Sequence, residues 1–475
     1  MDMTRAYSLL ALLLCALLLA CGGGSDPNSA DSQWDDTNGR LVGGIANVNF
    51  LSEGTTGNSS TSSDSPTSGM TDVAGKFTLG IYQQGGCFSF GNDGTQTCAT
   101  SGAATYAPTI FTLCGAALPG LQPPAVTAIA AYQTPAYTAY DLFPTLAEAE
   151  NWAAVALMAN TNTGDPTKTG INISSALQRA TCPAFSWANI QPVQATMLAA
   201  ANGDGLTHNW PTTAQVTSYL TTTYQCARSG VYLGLQQNTA TSAYAASSLS
   251  GYFGVIVDFD GQAEGSFDFS RSSLSPYTES VAFSGPITVQ QGGVGTLSYT
   301  APSSSPYPNM SITLSLLPYG GIGAWQTADG SAAGTTASTS SGQTNPGLSL
   351  VMAAPFPKYR FFQKNVQYTA PGTTTAQTYV LTTDVGYDSK VSGMLQIWPA
   401  AAWGQPGLYL EWTGTMSGNT VTLQWTPQQG VTTSTKTSTL TFDQTTTTLT
   451  GTFNGLDGNP FLTFTSAQPL QGCRQ

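Results

Sequence analysis

Charge is what this sequence has least of. Only 8% of its 475 residues are Asp, Glu, Lys or Arg, against about 25% in an average soluble chain. That excludes a coiled coil laced with ion pairs, a charged disordered tail and a surface of ion-pair networks. The 13 basic residues are outnumbered by 25 acidic ones, so there is no electrostatic footprint for nucleic acid. Histidine is nearly missing. His208 stands alone, which removes any zinc site built on several imidazoles. No two cysteines have C-x-x-C spacing, no G-x-S-x-G nucleophile elbow occurs, and no apolar run reaches the roughly 20 residues of a spanning helix.

What is present begins with an address. Arg5 precedes Ala6 to Ala20, a largely apolar run with no charge. It is short for a permanent span and reads as an export signal. The signal closes on Leu18-Leu19-Ala20-Cys21, followed by Gly22-Gly23-Gly24. This resembles the bacterial lipobox. The resemblance implies cleavage before Cys21, diacylglyceryl transfer to its thiol and acylation of the new amino terminus. One acyl chain holds a protein to a bilayer only marginally, whereas two or three anchor it. Gly22 in place of an acidic residue implies, by the same resemblance, sorting to the outer membrane. Residues 21–38 read as the lipidated cysteine and a flexible Gly/Ser/Asp/Asn tether, too poor in apolar surface to offset its ordering entropy. No cofactor is expected beyond that covalent lipid.

Of eight cysteines, Cys15 leaves with the signal and Cys21 carries lipid. Cys87, Cys98, Cys114, Cys182, Cys226 and Cys473 remain, an even set in an oxidising compartment, and read as structural disulfides. Proximity in sequence suggests Cys87 with Cys98 or Cys114, and Cys182 with Cys226. Cys473 would return to the leftover N-terminal cysteine. Connectivity itself is open.

The hydrophobic patterning predicts a mainly β chain with a small α-helical insert. Residues 39–125 read as a small β-sandwich module, 126–225 as a helical region and 226–475 as an antiparallel β-barrel or sandwich. A Gly/Ala/Ser/Thr loop at 328–346 would divide the last part or hang from it. Thr71-Asp72-Val73-Ala74-Gly75-Lys76-Phe77 resembles the T-D-x-x-G-x-F segment of carboxypeptidase-regulatory-like domains. That resemblance implies a non-catalytic transthyretin-like sandwich. Thr145-x-x-Glu148 and Thr212-x-x-Gln215 are capping boxes. They open helices predicted over Leu146–Asn160 and from Thr212 through Leu220. Ile173–Ala180 and Gln191–Ala201 are further helical candidates. In the last part, Leu408, Leu410 and Trp412 alternate with polar residues, as do Val421, Leu423 and Trp425, and this marks half-buried strands. The order of pieces, with Asn151-Trp152-Ala153-Ala154-Val155 and Cys226-Ala227-Arg228-Ser229-Gly230, resembles uncharacterised Gram-negative surface lipoproteins.

Few constellations carry chemistry. His208 reads as a loop residue beside a Gly-rich turn. Asp258 and Asp260 share a strand face and with Glu264 are candidates for a calcium site. The competing reading, which we prefer, is a hairpin turn at Asp260-Gly261. Asn160 to Asp165 has the look of a calcium loop but lacks its spaced carboxylates and final Glu. No local signature singles out a carboxylate pair for glycoside cleavage. Trp412 and Trp425 fall on the apolar face and read as core. Trp403, in a loop, and Tyr409 are the candidates for ligand stacking. The resulting expectation is a lipid-anchored, non-catalytic binding, adhesion or structural protein of the cell envelope. Its partners would be membrane lipid through Cys21 and a glycan or protein at the cell surface. The alternatives are a lipid-anchored hydrolase of glycans or peptides, and a lipocalin-like carrier if the last strands enclose a cavity.

Overall fold

The computed structural model describes residues 38–52, 67–78, 109–114, 116–117, 136–238, 250–270, 279–305, 307–317, 320–330, 333–335, 338–340, 343–345, 349–351, 357–369, 374–398, 409–426, 436–455 and 458–475. The export signal, Cys21, the tether up to residue 37, Cys87, Cys98 and Trp403 lie outside these residues.

Three helices organise the helical region: α1, Leu146–Met158; α2, Gln194–Ala201; and α3, Thr213–Arg228. The Thr145 hydroxyl accepts the Glu148 amide at 3.3 Å. At α3 the box is reciprocal: Thr212 Oγ1 takes the Gln215 amide, and Gln215 Oε1 takes the Thr212 amide. These contacts satisfy amides that have no partner inside the helix. A short helix, Ser175–Arg179, forms within the predicted 173–180 segment. α1 buries Ala149, Trp152, Ala153, Val155 and Ala156. α3 runs two turns past the predicted end. Its run Thr221-Thr222-Thr223 is β-branched and a poor helix former, but Tyr219, Leu220, Tyr224 and Ala227 are buried along one face. Packing overrides propensity here, and Cys226 sits in the last helical turn rather than opening a strand.

The N-terminal strands do not enclose a core apart from these helices. Leu41, Ile45, Val48, Phe77, Leu113 and Cys114 share one apolar cluster with Trp152, Ile171, Leu177, Val193 and Leu220. Two parallel pairings stitch them in: Arg40–Leu41 beside Ala136–Tyr137, and Ile45–Ala46 beside Ile171–Asn172. Parallel partners far apart in sequence leave no local pattern, so the boundary read at residue 125 has no counterpart in the core. Within Thr71–Phe77 every marked residue has a local task. Thr71 Oγ1 donates to Ile45 O at 2.7 Å and accepts the Val48 amide at 3.0 Å. Asp72 Oδ1 takes the amides of Ala74 and Lys76. Gly75 has φ +72°, and a Cβ there would strike Leu41 O. Phe77 is buried.

From Gly230 onward the chain is two β units. In the first, strands run in the order Glu279–Pro286, Gln262–Ser270, Ser250–Val257, Gly230–Asn238, Ala333–Thr335, Gly320–Gln326, Ser311–Leu317 and Gly295–Thr300, all antiparallel. Phe253, Phe267, Phe283, Leu297, Ile312, Leu314 and Trp325 pack into one apolar cluster. Strand Gly320–Gln326 is glycine-rich and has no strand signature of its own; its neighbour Ser311–Leu317 supplies the pairing. Ala333–Thr335, inside the predicted loop, belongs to this sheet. Ser349–Val351 also pairs with Val231–Leu233 of this sheet, so the first unit extends past 328–346 and the barrel begins at Pro357.

The second unit is a closed, antiparallel, eight-stranded barrel. Its strands are Pro357–Tyr368, Gln377–Gly386, Lys390–Ile397, Tyr409–Ser417, Thr420–Thr426, Thr437–Asp443, Thr448–Asn454 and Leu470–Arg474, the last pairing with the first. Closure pairs the first barrel strand with the last, so neither is left as an edge. An eight-stranded barrel is just wide enough for side chains to fill. Here Tyr359, Phe361, Tyr379, Leu395, Trp412, Leu423, Trp425, Phe442 and Phe453 do so. Trp412 and Trp425 lie opposite each other, their rings 4.8 Å apart and edge-on. The Trp412 indole occupies the space a Cβ at Gly393 would need. An interior packed in this way withdraws the support for a lipocalin-like carrier.

The units meet over buried side chains. Val231 and Ile256 from the first β unit pack on Phe362 and Val380 of the barrel's outer face. Beside them Arg360 pairs with Asp384 at 3.0 Å and donates to Ser229 O at 3.1 Å. Arg228, at the end of α3, pairs with buried Asp141 at 2.6 Å. Two disulfides are described, Cys114–Cys182 and Cys226–Cys473. They correct the pairing read from proximity. Cys182 joins the N-terminal strands instead of Cys226, and Cys473 ties the last barrel strand to α3.

Candidate functional site

A concavity among the described residues lies on the helical region. It is a cleft of about 730 Å³, within the roughly 300–1,000 Å³ usual for small-ligand sites. Three pieces build it: the loop after α1 from Asn160 to Thr167, the segment Asn209–Pro211, and the outward face of α3 at Ala214, Gln215 and Ser218. Leu157 and Tyr219 contribute from the packed side.

His208 sets the second wall. Its Nδ1 lies 2.8 Å from Met158 O at the end of α1, and its Nε2 lies 3.0 Å from Asp204 Oδ2. Its amide donates to Asn202 Oδ1 at 2.8 Å. The ring is 5% exposed, so it is a buried strut, not the open loop residue that the sequence suggested. Both ring nitrogens are committed to structure, and the next two residues, Asn209 and Trp210, are thereby held at the cleft. Burial raises the Asp204 carboxyl, but hydrogen bonds from Ser174, the Leu206 amide and His208 outweigh it and hold it below its ordinary value.

The cleft is polar and nearly uncharged; Asp165 is its single ionisable carboxylate, and no cation lines it. Several carboxamides are fixed in place. Asn160 Oδ1 accepts the amides of Asn162 and Asn172 at 3.0 and 2.9 Å. Gln215 Oε1 accepts from Thr212. These contacts orient each carboxamide oxygen, and the NH2 groups of Asn160 and Gln215 have no partner among the described residues. Nor do the exposed side chains of Asn209 and Ser218. Trp210 is half-buried beside Pro211. Burial pushes the Tyr219 phenol up, so it stays protonated. The pattern taken for a calcium loop at Asn160–Asp165 is loop and cap chemistry: Asp165 Oδ1 accepts the Thr167 amide at 3.0 Å and caps a short helix.

The other calcium candidates do not converge on a cation. Asp258 and Glu264 flank the Lys364 ammonium, at 2.7 and 3.3 Å. The Lys364 side chain comes from the barrel, so the pair clamps the two β units. Burial raises the Asp258 carboxyl, and the hydrogen bond from Lys364 opposes that. Asp260 takes the Gln262 amide at 2.9 Å. The loop closes as a hairpin turn with Gly261 at φ +78°, the Gly261 amide reaching Asp258 O. No group of three or more His, Cys, Asp or Glu among the described residues could hold a metal. Tyr409 opens a barrel strand, in register with Gln396, and its side chain lies outside the described part of the structure.

Sequence reading singled out two of the cleft's segments for other chemistries and used Gln215 only as a cap. The usable signal was the clustering of Asn in two loops beside helices, Asn160-Thr161-Asn162 and Asn209-Trp210.

No protein-family model matches the chain, and no curated protein matches it. Two crystal structures of mutant forms of the vaccine antigen Transferrin Binding Protein B from Haemophilus parasuis Hp5 show partial likeness. They are 14% and 13% identical, with TM-scores of 0.17 and 0.18, over 52% of this chain. The match spans 59% of the length of each antigen chain. TM-scores of that size carry no argument about fold or function. Among the described residues no helix is long and apolar enough to cross a membrane.

Proposed function

We propose that this chain is a lipid-anchored cell-envelope protein that binds a ligand without transforming it, through the cleft on its helical region. The observation that carries the reading is the cleft's composition. It offers pinned carboxamides and an indole, and the chain's single histidine stands outside its lining with both nitrogens occupied. A hydrolytic centre of the Ser-His-Asp kind needs a free imidazole nitrogen, and His208 has none to give. The lipobox at Cys21 supplies the membrane address. The barrel and the first β unit act as a rigid support, their interiors filled and their junction closed by Val231 and Ile256 on Phe362 and Val380.

Two measurements test this. Purified protein is assayed against a broad panel of glycosidase and peptidase substrates, with the expectation of no turnover. Turnover abolished by one Asp or Glu substitution would replace this reading with a lipid-anchored hydrolase. Separately, Cys21→Ser is expected to accumulate as an unprocessed precursor that takes up no radiolabelled palmitate. Labelling of that variant would overturn the anchor.

A further inference from the structure

The same cleft narrows the ligand's chemistry, and the inference that follows rests on the binding reading just given. We infer that it binds a neutral oligosaccharide. A sugar presents two kinds of surface: a ring of hydroxyls that each donate and accept, and an apolar C–H face. The cleft offers a counterpart to both. The NH2 groups of Asn160 and Gln215 are donors whose orientation is set because their oxygens already accept backbone amides. Such preorganisation avoids ordering costs on binding. Ser218 and Asn209 both donate and accept, and neither is engaged with other described residues. The Asp165 carboxylate keeps one oxygen uncommitted, since both described contacts fall on Oδ1. Trp210 provides the flat apolar surface on which a C–H face stacks.

Charge excludes the competitors. Phosphorylated, sulfated or sialylated ligands gain most from charge-assisted donors, and the lining has no cation while the Asp165 carboxylate would repel them. A lipid or drug-like apolar ligand needs a lining dominated by hydrophobic side chains. Here Leu157, Trp210 and Tyr219 sit among amides, hydroxyls and a carboxylate. The described contacts of His208 fix this wall in place. The ring fastens Asn209 and Trp210 to the end of α1.

The test uses full-length detergent-solubilised protein on a glycan array of neutral manno-, gluco-, galacto- and xylo-oligosaccharides alongside sialylated glycans and heparin fragments. The best neutral binder is then titrated by calorimetry. Binding to a neutral glycan is expected, weakened about tenfold by Trp210→Ala, the size expected for one lost aromatic contact. Ser218→Arg is the second variant. Ser218 is exposed on α3, so the change leaves the fold intact, fills the cleft with a long cation and should abolish binding. An array silent to neutral glycans, or one that responds only to anionic ones, overturns the proposal. Neutral binding that survives both variants overturns the cleft as the site but leaves a binding protein. Cleavage of the bound oligosaccharide, seen by mass spectrometry, overturns the non-catalytic reading and leaves the sugar site standing.

Discussion

Arg40 and Gln475 are separated by 435 residues and joined by a hydrogen bond of 3.0 Å between the guanidinium Nη2 and the side-chain Oε1. The same guanidinium donates to Pro357 O at 2.8 Å. Gln475 in turn donates to Cys226 O at 3.1 Å. One buried arginine therefore connects the N-terminal strands, the barrel and the end of α3. Arg40 is 2% exposed and Gln475 equally so. Removing the side chain leaves Pro357 O and Gln475 Oε1 buried without this donor. At about 1–3 kcal/mol for each of the two orphaned groups, Arg40→Ala should cost roughly 2–6 kcal/mol. Urea denaturation followed by tryptophan fluorescence measures it, and a change below about 1 kcal/mol would show the junction to be relaxed.

Asp384 carries a second prediction. It is fully buried and holds Arg360 through both carboxylate oxygens, at 3.0 and 3.3 Å. Truncating one partner of such a pair strands the other charge, which costs about 3–5 kcal/mol. Asp384→Ala should therefore destabilise strongly. Replacing both partners with apolar residues should restore much of the loss. A double variant as unstable as Asp384→Ala would mean that Arg360 matters mainly through Ser229 O.

The disulfide Cys226–Cys473 closes a separation of 247 residues. Removing a native disulfide typically costs about 2–5 kcal/mol. Cys226→Ala with Cys473→Ala should lower the melting temperature, and reductant should have little further effect through this bond. Peptide mapping without reduction checks the connectivity directly. It should recover Cys114 linked to Cys182, and Cys226 linked to Cys473. A Cys182–Cys226 peptide would refute the arrangement.

Asp204 predicts an acid dependence. Its carboxyl in the folded protein lies below its ordinary value of 3.8. A depressed carboxyl binds its proton more readily in the unfolded chain, so its contribution is fully present above about pH 4 and is lost as pH falls through the folded value. Asp204→Asn should flatten that part of the stability profile between pH 5 and pH 2. It should also loosen the His208 strut and with it Trp210, visible as a shift in tryptophan emission. An unchanged pH profile would rule out this linkage.

Much of the architecture was legible because it is local. Period-two alternation around Leu410, Trp412, Leu423 and Trp425 identified buried strand faces, and the structure places those four in the barrel core. The two capping boxes located the starts of α1 and α3 because a Thr followed three residues on by Glu or Gln has a specific hydrogen-bonding use. What failed was non-local. The end of α3 was missed because β-branched residues argue against helix until tertiary packing outweighs them. The strand Gly320–Gln326 is visible only beside its partner.

The sequence by itself determined the broad class, mainly β with a helical insert, because periodicity and turn chemistry act over a few residues. It also determined the chain's low overall charge. The tertiary structure alone decided which cysteines pair, that the N-terminal strands share a core with the helices, and that the barrel closes on a filled interior. It also decided that Asn160, Trp210, Gln215 and Ser218 face one cleft. These depend on contacts between segments tens to hundreds of residues apart. Chain topology creates such contacts, and no window of sequence contains them.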